Sequence, residues 1–381
     1  GQRPVRGLWA RSGGRTTKYQ LPVCVVPPSL APKGATARQS DTARGRPAGL
    51  PGSAKPSETT VQTVNRLSNL FVCPQHGEVL EVEGEVLTCP TGTHHFPIRN
   101  GIPRFVDDSA YSGGFGTQWH AFPRTQLDSH SGLPISRNRL LEALREGLWK
   151  TLPGSQVLEV GCGAGRFTEI LLSQGAEVWS VDLSSAVDVN VENCPLSSLH
   201  TVLQADLDRL PFKPSQFDLV LCLGVLQHTP SPEASILHLS QQVRQGGTLV
   251  LDHYVRNWGW VLSTKPLARL IIRQLSHDRG LTATNTLYRW FAPLYRLFPT
   301  GFARVLINRI SPITFFTNEI PELSESQKQE WGMLDTHDSL TEQFKHRRTS
   351  TQLSSALRDA GLIDVTVVLN GGVLVCRGTQ P

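Results

Sequence analysis

From Gln156 to Tyr254 the chain repeats one unit, a short run of β-branched and apolar residues followed by a connecting stretch. The runs are "QVLEV", "EVWSVDLS", "TVLQADLDRLPF", "FDLVLCLGVLQH" and "GGTLVLDHY", and "GRFTEILLSQG", between the first two, has the spacing of a helix that ends at Gly175. Strands that are apolar at nearly every position cannot leave one face in water. Alternated with helices, they build a mostly parallel sheet covered on both sides. Farther on, "STQLSSALRDAG" reads as a helix, and "LIDVTVVLN" and "GVLVCRGT" as a closing pair of strands. The predicted fold is α/β, with a seven-stranded, mostly parallel sheet and helices on both faces. Ligands of such sheets bind at the carboxyl ends of the strands, beside the switch in strand order.

The first strand runs into a turn with glycines at Gly161, Gly163 and Gly165. A dinucleotide fold takes G-x-G-x-x-G, so that a helix N-terminus can meet a pyrophosphate. Here the spacing is G-x-G-x-G, and Arg166 stands where the last glycine would fall. Glu159, two residues before the turn, repels a phosphate and welcomes an amino group, so the predicted ligand is cationic. Asp182, at the tip of the second strand, is placed to accept both hydroxyls of a ribose. Asp206, at the end of the third, can accept from an exocyclic adenine amine, with the Leu207 backbone beside the ring. Adenine, ribose and a charged amino acid, without phosphate, describe S-adenosylmethionine.

Residues 113 to 380 resemble the class I S-adenosylmethionine-dependent methyltransferases, through "LEVGCGAGRFT", "VDLS", "QADLDRLPF" and "FDLVLCLGVLQHTPSPE", matched in order. The resemblance implies a Rossmann-like fold and S-adenosylmethionine as cofactor. It implies cofactor roles for Glu159, Gly161, Gly163, Gly165, Asp182, Asp206, Leu207 and Leu223, the last contacting the methionine part through its backbone together with Gly224. The alternative is that these are only turn residues of a related fold. The implied enzyme moves a methyl group to an O, C or N atom of a small acceptor. A sulfonium methyl is already activated, so the protein must position a nucleophile in line with it and, where that nucleophile bears a proton, remove it.

His228, in "LQHTPSP" after the fourth strand, is the first candidate base, and His253 and Tyr254 at the end of the fifth come next. Each could instead shape its loop. His337, in "LDTHDSL", lies in a stretch that resembles the family's segment before the last helix, with an open role. No Asn-Pro-Pro-Tyr-like motif follows the fourth strand, where "GVLQHTPSP" stands, so a protein or nucleic acid is not the expected acceptor. The competing class is a cofactor-binding scaffold with vestigial catalysis.

The additions to this core set its partners. Residues 1–65 are Arg-, Pro- and Gly-rich without a sustained period and read as disordered. Residues 66–108 place short alternating strands around Cys73, His76, Cys89, His94 and His95, and resemble the zinc-ribbon module fused in front of small-molecule methyltransferases, with Phe96-Pro97-Ile98 and Gly101-Ile102-Pro103 matching its ending. Gly92 stands where the second knuckle's partner cysteine would be, so one structural zinc on Cys73, His76 and Cys89 has to recruit His94 or His95. A metal-free ribbon is the alternative, and in the scaffold reading this module contacts a partner or RNA. The methyltransferase domain then runs over 109–381, and about 255–330 of it form a helical lid with "PLARLIIRQL" and "LYRWFAPLYRLF" as helices. That lid either packs on the core with solvated arginines or closes over a lipophilic or anionic acceptor, with Trp290, Phe291, Tyr295 and Phe298 lining the pocket and a membrane surface nearby. Phe115, Gln118 and Trp119 precede an amphipathic helix and either pack on the sheet or lie over the ligand.

A formal charge of +5, with no basic stripe interleaved with aromatics, argues against nucleic acid as a partner. No apolar run reaches the roughly 18 residues of a membrane span. Seven scattered cysteines read as reduced thiols, and the expected compartment is the cytoplasm.

Overall fold

The computed structural model describes residues 71–106, 113–256, 263–316, 320 and 322–381. The segment expected to be disordered, 1–65, lies outside the described residues. Strands β1 (Glu81–Glu83), β2 (Val86–Thr88), β3 (His95–Arg99) and β4 (Ile102–Pro103) form a small antiparallel sheet. Helices α1 (Gly113–Ala121), α2 (Asp128–Ser131) and α3 (Ile135–Lys150) lead to β5 (Gln156–Val160), and α4 (Thr168–Ser173), β6 (Glu177–Asp182), α5 (Ala186–Asn193) and β7 (His200–Gln204) follow. After β8 (Phe217–Cys222), α6 (Pro232–Gln242) and β9 (Val243–Tyr254) come α7 (Lys265–Ile272), α8 (His277–Leu297) and α9 (Gly301–Ile310). The chain closes with α10 (Glu325–Thr341), α11 (Ser350–Asp359), β10 (Ile363–Asn370) and β11 (Val373–Thr379).

The large sheet has the order β10-β11-β9-β8-β5-β6-β7. Strands β5 to β9 are mutually parallel, and β11 runs antiparallel to both of its neighbours. From β5 the chain steps outward through β6 and β7, then returns to β8 on the other side of β5. That reversal opens a crevice between the loops after β5 and β8. Successive side chains of a strand face opposite ways, so Leu158, Trp179, Val220 and Leu249 meet α6 and α11, while Val157, Val178, Leu219 and Val250 meet α3 and α4. Helix α4 stops where Gly175 takes φ +79°. Helix α11 starts in a capping box, Thr349 and Gln352 each receiving the other's backbone N–H.

The N-terminal ribbon does not stand alone. Phe71 packs edge-on against Trp179 with ring centroids 6.1 Å apart, and Val72 donates its N–H to the Pro211 carbonyl at 3.0 Å. Arg104, just past β4, donates to Gln204 Oε1 at 3.0 Å and pairs with Asp188 at 2.6 Å. A single apolar cluster therefore runs from the ribbon into one face of the large sheet. The insertion after β9 holds three helices where the apolar pattern indicates two. "GFARVLINRI" forms α9, whose Ile307 joins Tyr288, Ala292 and Tyr295 of α8 in a small core of its own, with Phe315 stacked on both tyrosines. The apolar residues of α9 alternate with Arg304 and Arg309, which is why local composition alone understates it.

Candidate active site

The glycine turn is held open by backbone geometry. Gly161, Gly163 and Gly165 have φ of +78°, +50° and +97°, values that L side chains rarely adopt. A Cβ on Gly161 would lie 2.1 Å from Val225 Cγ2, and one on Gly163 would lie 3.0 Å from Trp119 Cε2. Bare glycines therefore let the loop after β8 and helix α1 approach the turn from two sides. Asp182 fixes the turn from the tip of β6: its Oδ2 accepts the Gly163 N–H at 3.0 Å, and its Oδ1 accepts the Ser184 N–H at 2.8 Å and hydroxyl at 2.7 Å. Burial raises its pKa, against the pull of these bonds.

Glu159 lies under the turn with 2% of its surface exposed. Its Oε2 accepts from Thr168 at 2.6 Å and from Ser180 at 3.4 Å, while Oε1 has no hydrogen-bond partner. Burial pushes this carboxyl up to about 8, so it is mostly protonated at neutral pH. A buried acid with one orphan oxygen beneath a glycine turn suits a ligand that brings a cation. Asp206 caps the 3-10 turn Leu207–Arg209 by accepting the Asp208 N–H at 3.0 Å, and Leu207 and Leu223 are buried beside the crevice. Gly224, next to Leu223, donates its N–H to Asp252 Oδ1 at 2.6 Å, and Asp252 Oδ2 pairs with Arg139 of α3 at 2.7 Å. Asp252 and Arg139 escape a reading from sequence. The only sequence signal for Asp252 is an acid at the C-terminal end of a strand beside the switch.

The candidate bases separate cleanly. His228, in the 3-10 turn after β8, is 7% exposed, and its Nδ1 lies 2.7 Å from Glu342 Oε2, just past α10. Burial by itself would push this imidazole down. The contact with Glu342 and the charges of Glu342 and Asp338 outweigh it and hold the pKa above its ordinary value. Lys345 pairs with the other Glu342 oxygen. Phe115 and Tyr254 pack on the His228 ring at 5.4 and 5.6 Å between centroids. Tyr254 joins the cluster, and burial raises its phenol well above the usual range, so it stays neutral.

His253 does not join it. Adjacent strand residues point to opposite faces, and His253 shares a face with Leu249 and Leu251, away from Asp252 and Tyr254. It is fully buried, and burial lowers its pKa to about 4. His337 Nδ1 lies 2.9 Å from Gln118 Oε1, a contact that ties α10 to α1.

Helix α1 spans the crevice, with Trp119 against the glycine turn, Phe115 against His228 and His120 Nε2 3.3 Å from the Ser185 hydroxyl. Beside it opens a cavity of about 410 Å³ lined by Phe115, Ile272, Leu275, His277, Thr341 and Glu342 among others. Phe115 and Glu342, the residues that flank His228, are thus part of its wall. The lid aromatics are elsewhere: Trp290 is 73% exposed, Phe298 is exposed, and Tyr295 is buried in the insertion's own core. The sequence pattern shows that α8 is amphipathic but not which stripe faces which neighbour.

In the ribbon, His76 Nδ1 lies 3.5 Å from Cys89 Sγ, and Cys73 Sγ lies 3.8 Å from His94 Nδ1. Tetrahedral zinc with ordinary Zn–S and Zn–N bonds separates neighbouring S and N ligands by about 3.6 Å. His95, exposed on β3, lies apart from this set and faces Thr88 at 3.4 Å.

Residues 158–251 match the family described as methyltransferase domain. Over 149 residues, 36% of this chain, the sequence is 32% identical to a ubiquinone biosynthesis O-methyltransferase of Xanthomonas campestris pv. campestris (strain B100), covering 61% of it. Over 133 residues, 34% of this chain, it is 34% identical to the protein of that name from Coxiella burnetii (strain Dugway 5J108-111), covering 57% of it. The chain thus spans less than two thirds of either relative. A magnesium protoporphyrin IX methyltransferase from Synechocystis PCC 6803, solved with bound SAH, aligns at TM-score 0.36 and 16% identity over 65% of this chain and 84% of its own. The methyltransferase-domain match over residues 158–251 thus falls on the part of the seven-stranded sheet that carries the glycine turn, Asp182 and the reversal at β5.

Proposed function

We propose that this chain methylates an oxygen of a small, apolar or aromatic acceptor, with His228 as general base and Glu342 as the residue that orients it. The observation that carries this reading is the buried His228–Glu342 contact, whose Glu342 lines the cavity. S-Adenosylmethionine, when bound, supplies an electrophilic methyl group. The residues suit it: Asp182 offers carboxylate lone pairs for ribose, Asp206 and Leu207 flank the adenine position, and the orphan Glu159 oxygen answers an ammonium. None of the chain's own groups has to activate the methyl, so their work is placement and proton removal. With Nδ1 turned to Glu342, His228 presents Nε2 to an acceptor hydroxyl and takes its proton there. Glu342 then stabilises the imidazolium that forms, and Phe115 and Tyr254 keep water from the ring. The names of the Xanthomonas and Coxiella relatives favour oxygen over nitrogen or carbon.

The test is transfer of a labelled methyl group from S-adenosylmethionine to a panel of phenols with apolar substituents, by the native chain and by His228→Gln. Loss of a general base costs roughly a hundred- to ten-thousandfold in rate, with cofactor affinity unchanged. Equal rates for both proteins would remove His228 from catalysis. Tight cofactor binding without a methylated product from the panel or from a cell extract would favour the scaffold reading.

We also infer that the ribbon holds one structural zinc on Cys73, His76, Cys89 and His94. Cys73, His76 and His94 offer ligand atoms within 4.8 Å of one another, Cys89 Sγ lies 3.5 Å from His76 Nδ1, and a sheet of such short strands gains order from a metal staple.

A further inference from the structure

Three helices of the insertion turn apolar faces outward. On α7 the exposed apolar residues include Leu267 and Ile271, on α8 Trp290 and Leu297, and on α9 Phe302 and Leu306, with Ile271 69%, Trp290 73% and Phe302 84% exposed. Their spacing by four or seven residues puts each pair on one side of its helix. The helices are neighbours: Thr264, at the start of α7, donates its N–H to the Arg309 carbonyl at 3.0 Å and its hydroxyl to the Ile310 carbonyl at 2.9 Å, while α8 packs against both. Soluble surfaces rarely leave so many large apolar side chains together.

The charge around this face selects its partner. Between 264 and 316 the sequence has eight Lys and Arg against one acid, Asp278. Arg273, Arg279, Arg289 and Arg296 are exposed. On α8, Arg289 and Arg296 lie one helical row to the side of Trp290 and Leu297, the placement of an interfacial helix whose apolar stripe enters a bilayer while its cations reach headgroups. No described helix is long and apolar enough to cross a membrane. A second copy of this chain would bring the same positive surface against itself, which like-charge repulsion disfavours.

We propose that α7, α8 and α9 form a docking face for an anionic lipid bilayer, with the apolar side chains entering the headgroup boundary and the arginines meeting lipid phosphates. Ile272 and Leu275, at the end of α7, line the 410 Å³ cavity, so docking would bring the cavity's rim close to the bilayer. The docking itself does not depend on what the domain methylates.

The test is flotation of the full chain with vesicles of phosphatidylcholine alone and of phosphatidylcholine mixed with phosphatidylglycerol. Binding is expected to the mixed vesicles, weaker to the neutral ones, and to fall as salt is raised. Ile271→Asp with Phe302→Asp should weaken binding to the mixed vesicles at least tenfold. Arg289→Gln and Arg296→Gln should each weaken it about fivefold on anionic vesicles only. All four side chains are exposed, so thermal melting should not change, and methyl transfer to a water-soluble acceptor should stay as in the native chain. Absence of flotation with both vesicle types would overturn the proposal. So would a dimer in analytical ultracentrifugation that the Asp pair dissolves, because the face would then be a contact between copies.

Discussion

Glu342 Oε2 lies 2.7 Å from His228 Nδ1, and both side chains are buried. The two residues belong to different segments, the turn after β8 and the end of α10, and they meet only because α10 lies across the sheet's carboxyl edge. That contact makes the protonation of His228 depend on a residue far along the chain. It also divides two pH effects of opposite sign.

As the proposed base, His228 must be neutral to take a proton. His228 is held above the ordinary 6.5 of histidine, so kcat/KM should rise with pH through a midpoint above that value. Glu342→Gln removes the charge that raises it, and the midpoint should move down while kcat falls. A midpoint that does not move would separate Glu342 from the reaction. For stability, the raised His228 favours the folded state below pH 6.5 and that contribution is lost as pH climbs through the raised value.

Glu159 predicts proton release on cofactor binding. Its carboxyl is pushed up to about 8 by burial, and an ammonium beside the orphan oxygen would favour ionisation. At pH 7, calorimetry in buffers of different ionisation enthalpy should report close to one proton released per S-adenosylmethionine bound. Glu159→Gln should abolish the release and weaken binding. Because the folded pKa lies above the ordinary 4.5, native stability should also decline between about pH 4.5 and 8, and Glu159→Gln should flatten that decline. A native protein that releases no proton would place the ammonium elsewhere.

The ribbon predicts one zinc per chain and a difference between adjacent histidines. His94→Ala removes a ligand and should release the metal to a chelator, whereas His95→Ala should retain it, since His95 lies outside the set. Metal content by elemental analysis distinguishes them. Equal retention by both variants would leave the ribbon held by Phe71, Leu87 and Phe96 alone.

In the insertion, Tyr295→Ala should destabilise by about 3 to 5 kcal/mol, as large-to-small changes in a core do, because Tyr295 is 2% exposed and stacks on Phe315 at 4.9 Å. Trp290→Ala should leave stability within about 0.5 kcal/mol. Thermal melts of the two variants check this, and a large loss for Trp290→Ala would mean that its face is covered.

The features legible in the sequence are those set by neighbours along the chain. Buried strands need continuous apolar runs, so β5 to β9 announce themselves. A turn at positive φ needs glycine, so Gly161, Gly163 and Gly165 mark the crevice. Asp182 and Asp206 follow because strand ends of a parallel sheet share one edge. His228 and Tyr254 could be nominated by position on that edge, but nothing local separated Tyr254 from His253; the alternation of the strand across a twisted, two-sided sheet decided it. Glu342, Asp252 and Arg139 carry no local mark, because an acid or arginine at the end of a helix reads as solvated until the fold buries it. Which histidine joins Cys73, and whether Trp290 faces a pocket or solvent, depends on the rotation of one short strand and one helix against their neighbours. Periodicity fixes the stripes of an element; only packing decides which stripe is covered, and with it the partner, the burial and the pKa of each functional group.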